Sequence, residues 1–164
     1  MNKIDTRTFI REIRTERDRI LESCCVAPIS PRGYIAYLET GNRLTFEKEY
    51  FDRRRQLSTL GLALCIDQNH IPTVHMLEMV IWEICNEYSW ALPAHLEIED
   101  STGYKENSPQ FIDLFAAETA QSLAEILEIH QKKLSPFIQN RIREEVERRI
   151  FQPFESKKHT KISR

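Results

Sequence analysis

Apolar residues recur at helical spacing along most of the chain. Phe9, Ile13, Ile20 and Cys24 follow that period with Arg and Glu between them, which predicts a helix over 5–23. Pro28, Pro31 and Gly33 break the pattern. Tyr34 to Leu38 is too short a piece to classify, and Gly41-Asn42 marks a turn. A second long helix follows, with Thr45 as its expected N-cap and Glu47 and Glu49 in its first turn. Tyr50, Leu57, Leu60, Leu64 and Cys65 form its expected buried side. After Asp67-Gln68-Asn69-His70, Pro72 suits the first turn of another helix, whose apolar arc is Val74, Leu77, Ile81, Ile84, Cys85 and Tyr88. Trp82 lies to one side of that arc, with Glu78 between. The helix should give way by Ser89, because Pro93 prevents continuation.

The stretch from Glu97 to Asn107 is polar, contains Gly103 and reads as a loop. Two starts are available for the next helix, Ser108-Pro109 and Asp113. Ile112, Phe115, Ala116, Leu123, Ile126 and Leu127 share its inner face. Ser135-Pro136 opens a last helix, with Ile138, Ile142, Val146 and Ile150 at intervals of four and Pro153 as its expected end. No strand alternation of useful length and no repeat appears. The prediction is an all-α fold of about five helices in antiparallel hairpins, one domain over 1–154, followed by a basic tail over 155–164.

Composition supports a globular reading: 41% of the 164 residues are hydrophobic and 29% charged. A net charge of −2 disfavours nucleic acid as a partner. The basic cluster Lys157-Lys158-His159-Thr160-Lys161 with Arg164 reads as a solvated end. No stretch approaches the roughly 20 apolar residues that span a bilayer, and the charged N-terminus lacks an apolar signal-type run. Four cysteines without a CxxC pair fit a reducing, cytoplasmic setting.

Most local groupings read as structure. Arg53-Arg54-Arg55 fan over about 200° of their helix, so they cannot all face one ligand, and they read as a solvated face paired with Glu49 and Asp52. Glu144-Glu145-Glu147 likewise read as solvated. His70, His75 and Cys65 flank Pro72, but nothing requires them to converge on a metal, and His75-Met76-Leu77-Glu78 is not HExxH. Neither GxSxG nor a glycine-rich phosphate loop is present, and Cys85 falls on the buried side of its helix. No cofactor is expected. Sugar binding draws on aromatic faces edged by polar groups. Tyr88, Trp90 and His95, close together around a helix end and a proline turn, can line such a cleft or anchor the core. Glu118 falls off the apolar face of its helix, on the side of Gln121 and Glu125, where it faces either solvent or a cleft.

Several stretches in order resemble the N-terminal helical region of the heparinase II/III-like polysaccharide lyases. They are Tyr50-Phe51-Asp52-Arg53-Arg54-Arg55, the Trp82 helix, Tyr88-Ser89-Trp90-Ala91-Leu92-Pro93-Ala94-His95, Asp113-Leu114-Phe115-Ala116-Ala117-Glu118-Thr119, and Arg141 through Phe151. The resemblance covers about Phe46 to Phe154. It implies part of an incomplete α/α toroid, which in that family precedes a β-sandwich region. It also implies cleavage of acidic polysaccharides by β-elimination. A base there removes the proton α to a uronate carboxylate, an Asn helps neutralise that carboxylate, and a Tyr or His handles the proton at the leaving oxygen. This sequence has no Asn-Asn-Trp or Asn-Asn-His run. No catalytic residue is therefore carried over, and Tyr88, Trp90, His95 and Glu118 remain as candidate substrate-binding positions only. The expected partners are an acidic polysaccharide or oligosaccharide, together with a missing C-terminal half or a second copy of the chain. Many members of the family are exported, so the cytoplasmic expectation departs from the common case. The other reading from sequence is a non-enzymatic helical interaction or carbohydrate-binding module.

Overall fold

The computed structural model describes residues 5–100 and 103–156. The basic cluster beginning at Lys157 lies outside the described residues. Among the described residues the fold is all-α, with six α-helices and one small two-stranded sheet. Helix α1 runs Thr6–Ser23, and its N-cap Asp5 accepts from the Arg7 amide at 3.2 Å. The stretch left unclassified in the sequence is helix α2, Pro31–Thr40. Pro31 is not a breaker here, because a proline in the first helical turn forfeits no intrahelical hydrogen bond. Gly41 ends α2 at φ 71°, a left-handed conformation that suits glycine.

Helix α3 is Leu44–Ile66. Thr45 does not cap it. Asn42 does, its side-chain oxygen accepting from the Leu44 and Thr45 amides at 2.9 and 3.4 Å. A four-residue connection leads to α4, Ile71–Cys85, and the two helices pack together. Helix α3 also meets α1, α2 and α5, so it is the central helix. At the α2 crossing, a Cβ on Gly33 would fall 2.7 Å from Cβ of Phe46, so only glycine permits this approach.

Residues 86–113 form the long connection. It contains a 3₁₀ turn at Pro93–His95, the antiparallel strands β1 (Ile98–Asp100) and β2 (Gly103–Tyr104), and a second 3₁₀ turn at Ser108–Gln110. Of the two possible helix starts, Asp113 is the one used. It caps α5, Leu114–His130, by accepting from the Ala116 amide at 2.7 Å.

Helix α6 starts at Pro136 behind the cap Ser135 and runs to Val146. A π-turn at Glu147–Phe151 follows, and the helix then continues to 156. Pro153 therefore does not end it. The Gln152 amide bonds back five residues to Glu147. This wider turn shifts the carbonyl ladder just ahead of the proline, where an ordinary turn would need its missing N–H.

One core joins these helices through Leu57, Leu60, Leu77, Ile81, Leu123 and Ile142. Each such side chain contributes about 1.5–3 kcal/mol on burial. Cys65, expected on the buried side of α3, is exposed, whereas Cys85 is buried.

Asp67 ties α1 to the end of α3, receiving a two-pronged contact from Arg14 at 2.7 and 3.0 Å and a further one from Arg17. The Arg14 hydrogen bonds, with help from Arg17, outweigh burial and lower the Asp67 carboxyl pKa to about 2. Folded Asp67 thus holds its proton less tightly than unfolded Asp67. Its stabilising effect is complete above the ordinary carboxylate value of about 4 and is lost as pH falls through about 2. A carboxyl NMR titration should find this midpoint, and Arg14→Ala should move it up. A wild-type midpoint near 4 would break the assignment.

Candidate functional site

The residues singled out by sequence do not form one site. Trp90 is only 1% exposed. Its indole N–H donates to the Ile84 carbonyl at 2.8 Å, and the Arg149 guanidinium lies 5.0 Å above its ring. A ring sealed in this way has no face for a sugar, so Trp90 is a core anchor and not a cleft wall. Ser89 fastens the same loop, its hydroxyl donating to the Ser108 carbonyl and accepting from the Ala91 amide, both at 3.1 Å.

His95 lies at the surface against α5. Its Nδ1 is 2.6 Å from Asp113 Oδ2, and its ring is 5.9 Å from that of Phe115. A carboxylate-oriented imidazole is suited to moving protons. The neighbouring crevice, which includes Phe46, Leu92 and Ala94, has no ligand-sized space. Glu118 is exposed on α5, one turn beyond Phe115. Among the described residues, neither of these two borders the groove that Tyr88 lines.

Tyr88 does border a cavity, and it is 46% exposed. This groove, of about 550 Å³, runs between α2, the end of α4 and the β-hairpin. Tyr34 is its central ring, edge-on to Tyr88 at 5.4 Å and to Tyr104 at 5.9 Å. The Tyr104 hydroxyl donates to the Tyr34 carbonyl at 3.2 Å and fixes the hairpin against α2. Burial pushes the Tyr104 phenol up to about 12 and raises that of Tyr34 as well, so both remain protonated near neutrality. A second groove, of about 830 Å³, adjoins the first and is bordered by the 26–29 linker, α4 and the start of α6. Trp82 and Phe137 face each other there at 5.8 Å. Arg53, Ile29 and Glu83 border both grooves. Both volumes lie within the usual range of ligand sites, about 300–1,000 Å³.

Beneath the grooves lies a charge network that the sequence did not suggest. Arg53 and Arg54 are not a solvated pair. Both reach Glu87, Arg53 at 3.1 Å and Arg54 at 2.8 and 2.6 Å. Arg53 also donates to the Ala27 carbonyl at 2.8 Å, which holds the linker that borders the grooves. Arg54 donates to Thr119 at 3.1 Å and lies over the Tyr50 ring at 4.1 Å. Burial pulls the Arg54 pKa down, but the Glu87 carboxylate more than offsets this and raises it. Arg55 alone matches the solvated reading, pairing with Asp52 at 3.1 Å.

Glu145 is likewise buried, at 2% exposure, and bonds Arg141, Arg148 and Arg149 at 2.8, 2.5 and 2.6 Å. Burial alone would raise its pKa, but Arg148 and Arg149 turn the shift downward. Glu144 stays exposed, as the sequence implied. The π-turn carries Arg149 to the end of α4, where its guanidinium donates to the carbonyls of Glu87 at 2.6 Å and of Cys85, Tyr88 and Pro109 at 3.3 Å. These include terminal carbonyls that no intrahelical partner satisfies.

The other candidate chemistry is accounted for locally. Burial pushes the Cys85 thiol up to about 12, which makes it a poor nucleophile. His70 Nδ1 lies 2.7 Å from the Thr73 hydroxyl. Among the described residues, no group of three or more His, Cys, Asp or Glu is placed to hold a metal, and no helix is long and apolar enough to cross a membrane. Sequence reasoning missed Tyr34, Tyr104 and Phe137, which are far apart in the chain; Tyr34 and Tyr104 are brought together only by the α2–hairpin contact. Compared with known proteins, the chain matches no protein-family model and no curated protein.

Proposed function

We propose that the chain is a glycan-binding helical domain of the heparinase II/III-like lyase type, part of an incomplete α/α toroid. In this reading it holds a uronate-containing polysaccharide and does not itself carry out the β-elimination. The observation that carries it is the pair of joined grooves, walled by Tyr34, Tyr88, Tyr104, Trp82 and Phe137 and edged by Arg53 and Glu83. Flat apolar rings stack on the C–H faces of sugars, and the polar groups at their edges meet hydroxyls. The hairpins α3–α4 and α5–α6, each closed by a short connection, are the packing unit expected of a toroid segment. Among the four substrate-binding positions read from sequence, Tyr88 fits the proposal best. His95 and Glu118 belong to a separate surface, and Trp90 serves the core.

The test is a titration with uronate-containing oligosaccharides, following tryptophan emission. The chain has two tryptophans, and with Trp90 buried the ligand-sensitive signal should come from Trp82. We expect a saturable change that Trp82→Phe abolishes, with no growth of unsaturated-uronate absorbance in the ultraviolet. Emission unmoved by every oligosaccharide would remove the glycan reading, and turnover by the chain alone would remove the non-catalytic part of it.

A further inference from the structure

The two grooves meet at Glu83 on α4. Its half-buried side chain borders both of them and makes no hydrogen bond or ion pair among the described residues. Two further acids of the same stretch border the grooves. Glu78 accepts from the Ser135 amide at 2.6 Å, and Glu87 is matched by Arg53 and Arg54. Glu87 is thus offset by two guanidiniums, of which Arg53 also donates to the Ala27 carbonyl, and the imidazole of His75 borders the larger groove, so that among the described residues Glu83 is the wall carboxylate with no partner of its own. Arg141, near Trp82, is likewise committed to Glu145. Aromatic faces flank Glu83 on both sides, Trp82 with Phe137 in one groove and the Tyr34–Tyr88–Tyr104 cluster in the other. An unmatched carboxylate among ring faces attracts cations twice over, by its charge and by the ring quadrupoles. The same arrangement repels a carboxylate.

Resting on the glycan reading above, we propose that this junction seats a sugar unit bearing a free ammonium group, with Glu83 as its ion-pair partner. In an acidic glycan, the unit held here is one without a carboxylate, and the uronates lie outside the junction. The charge decides which unit is accepted, and the rings supply stacking that any sugar can share.

The experiment is calorimetric titration of the whole chain with three tetrasaccharides of equal length. One is built of glucosamine, one of N-acetylglucosamine and one of a uronic acid, in buffer acidic enough to keep the amine protonated. The amine form should bind about tenfold more tightly than the N-acetylated form, as a charge-assisted contact replaces a neutral one. Glu83→Gln should erase that preference and leave the N-acetylated affinity in place. Equal affinity for the amine and acetylated forms, or tightest binding by the uronate, would overturn the assignment while leaving the glycan reading intact. Selectivity unchanged in Glu83→Gln would remove Glu83 from its role. Failure of all three sugars to bind would overturn both the assignment and the glycan reading.

Discussion

Replacing Arg149 with methionine should lower the free energy of unfolding by about 3–5 kcal/mol, the usual cost of removing one partner from a buried ionic cluster. Arg149 is 4% exposed and donates at once to Glu145 and to four carbonyls around the end of α4. Methionine can fill much of the volume and lie on the Trp90 ring, but it donates nothing. Glu145 would keep Arg141 and Arg148, so the dominant loss is at the carbonyls. Against a typical total of about 5–15 kcal/mol, that loss is a large share. Lysine at the same position keeps the charge without the planar fork and should recover only part. Urea denaturation measures all three proteins. A loss under about 1 kcal/mol for the methionine variant, the range of a surface ion pair, would show that Arg149 does not hold the helix end.

Glu87→Gln should cost a similar amount, about 3–5 kcal/mol, for the opposite reason: it leaves two buried guanidiniums facing each other without their shared carboxylate. The change is nearly isosteric, so the effect reports charge and not a cavity. Because the pair is buried, added salt should restore little of the lost stability. Adding Arg54→Met to Glu87→Gln should cost less than the sum of the single changes, since it removes a charge already orphaned. Strict additivity in that double-mutant cycle would show that Glu87 and Arg54 act independently. The Glu87 variant should also loosen the 26–29 linker through Arg53, so weaker oligosaccharide binding would accompany the loss of stability.

These two clusters are also where the sequence was least legible. Most helices followed local rules: Asp5, Asp113 and Ser135 cap, Pro136 starts, and the α4 arc from Val74 to Cys85 is buried as its periodicity implies, whereas Tyr88, placed on the same arc, lies past the helix end and is exposed. A helix start is decided within four residues, so a short window contains the answer. Arg53 and Arg54 find Glu87 more than thirty residues away, and no spacing rule reaches that far. Glu145 looked like one acid among three on a charged helix. Its buried charge is met by Arg149, which sits in the π-turn, a feature not marked by any residue type. The same turn explains why Pro153 failed as a stop signal. Trp90 was ambiguous for a related reason: an aromatic in a proline-rich loop suits a cleft or a core, and the indole hydrogen bond to Ile84 decides in favour of the core. The grooves were invisible because their walls come from α2, α4, α6 and the hairpin.

Asp113 joins parts of the chain usually considered apart. One oxygen starts α5 through Ala116, while the other accepts from the Leu92 amide and lies against the His95 ring. The Leu-Pro-Ala-His segment and the Asp-Leu-Phe-Ala-Ala-Glu segment are therefore two jaws of a single clasp, eighteen residues apart at His95 and Asp113. Whatever draws the imidazole outward also tugs on the first turn of a core helix, so a change in either segment is felt in the other.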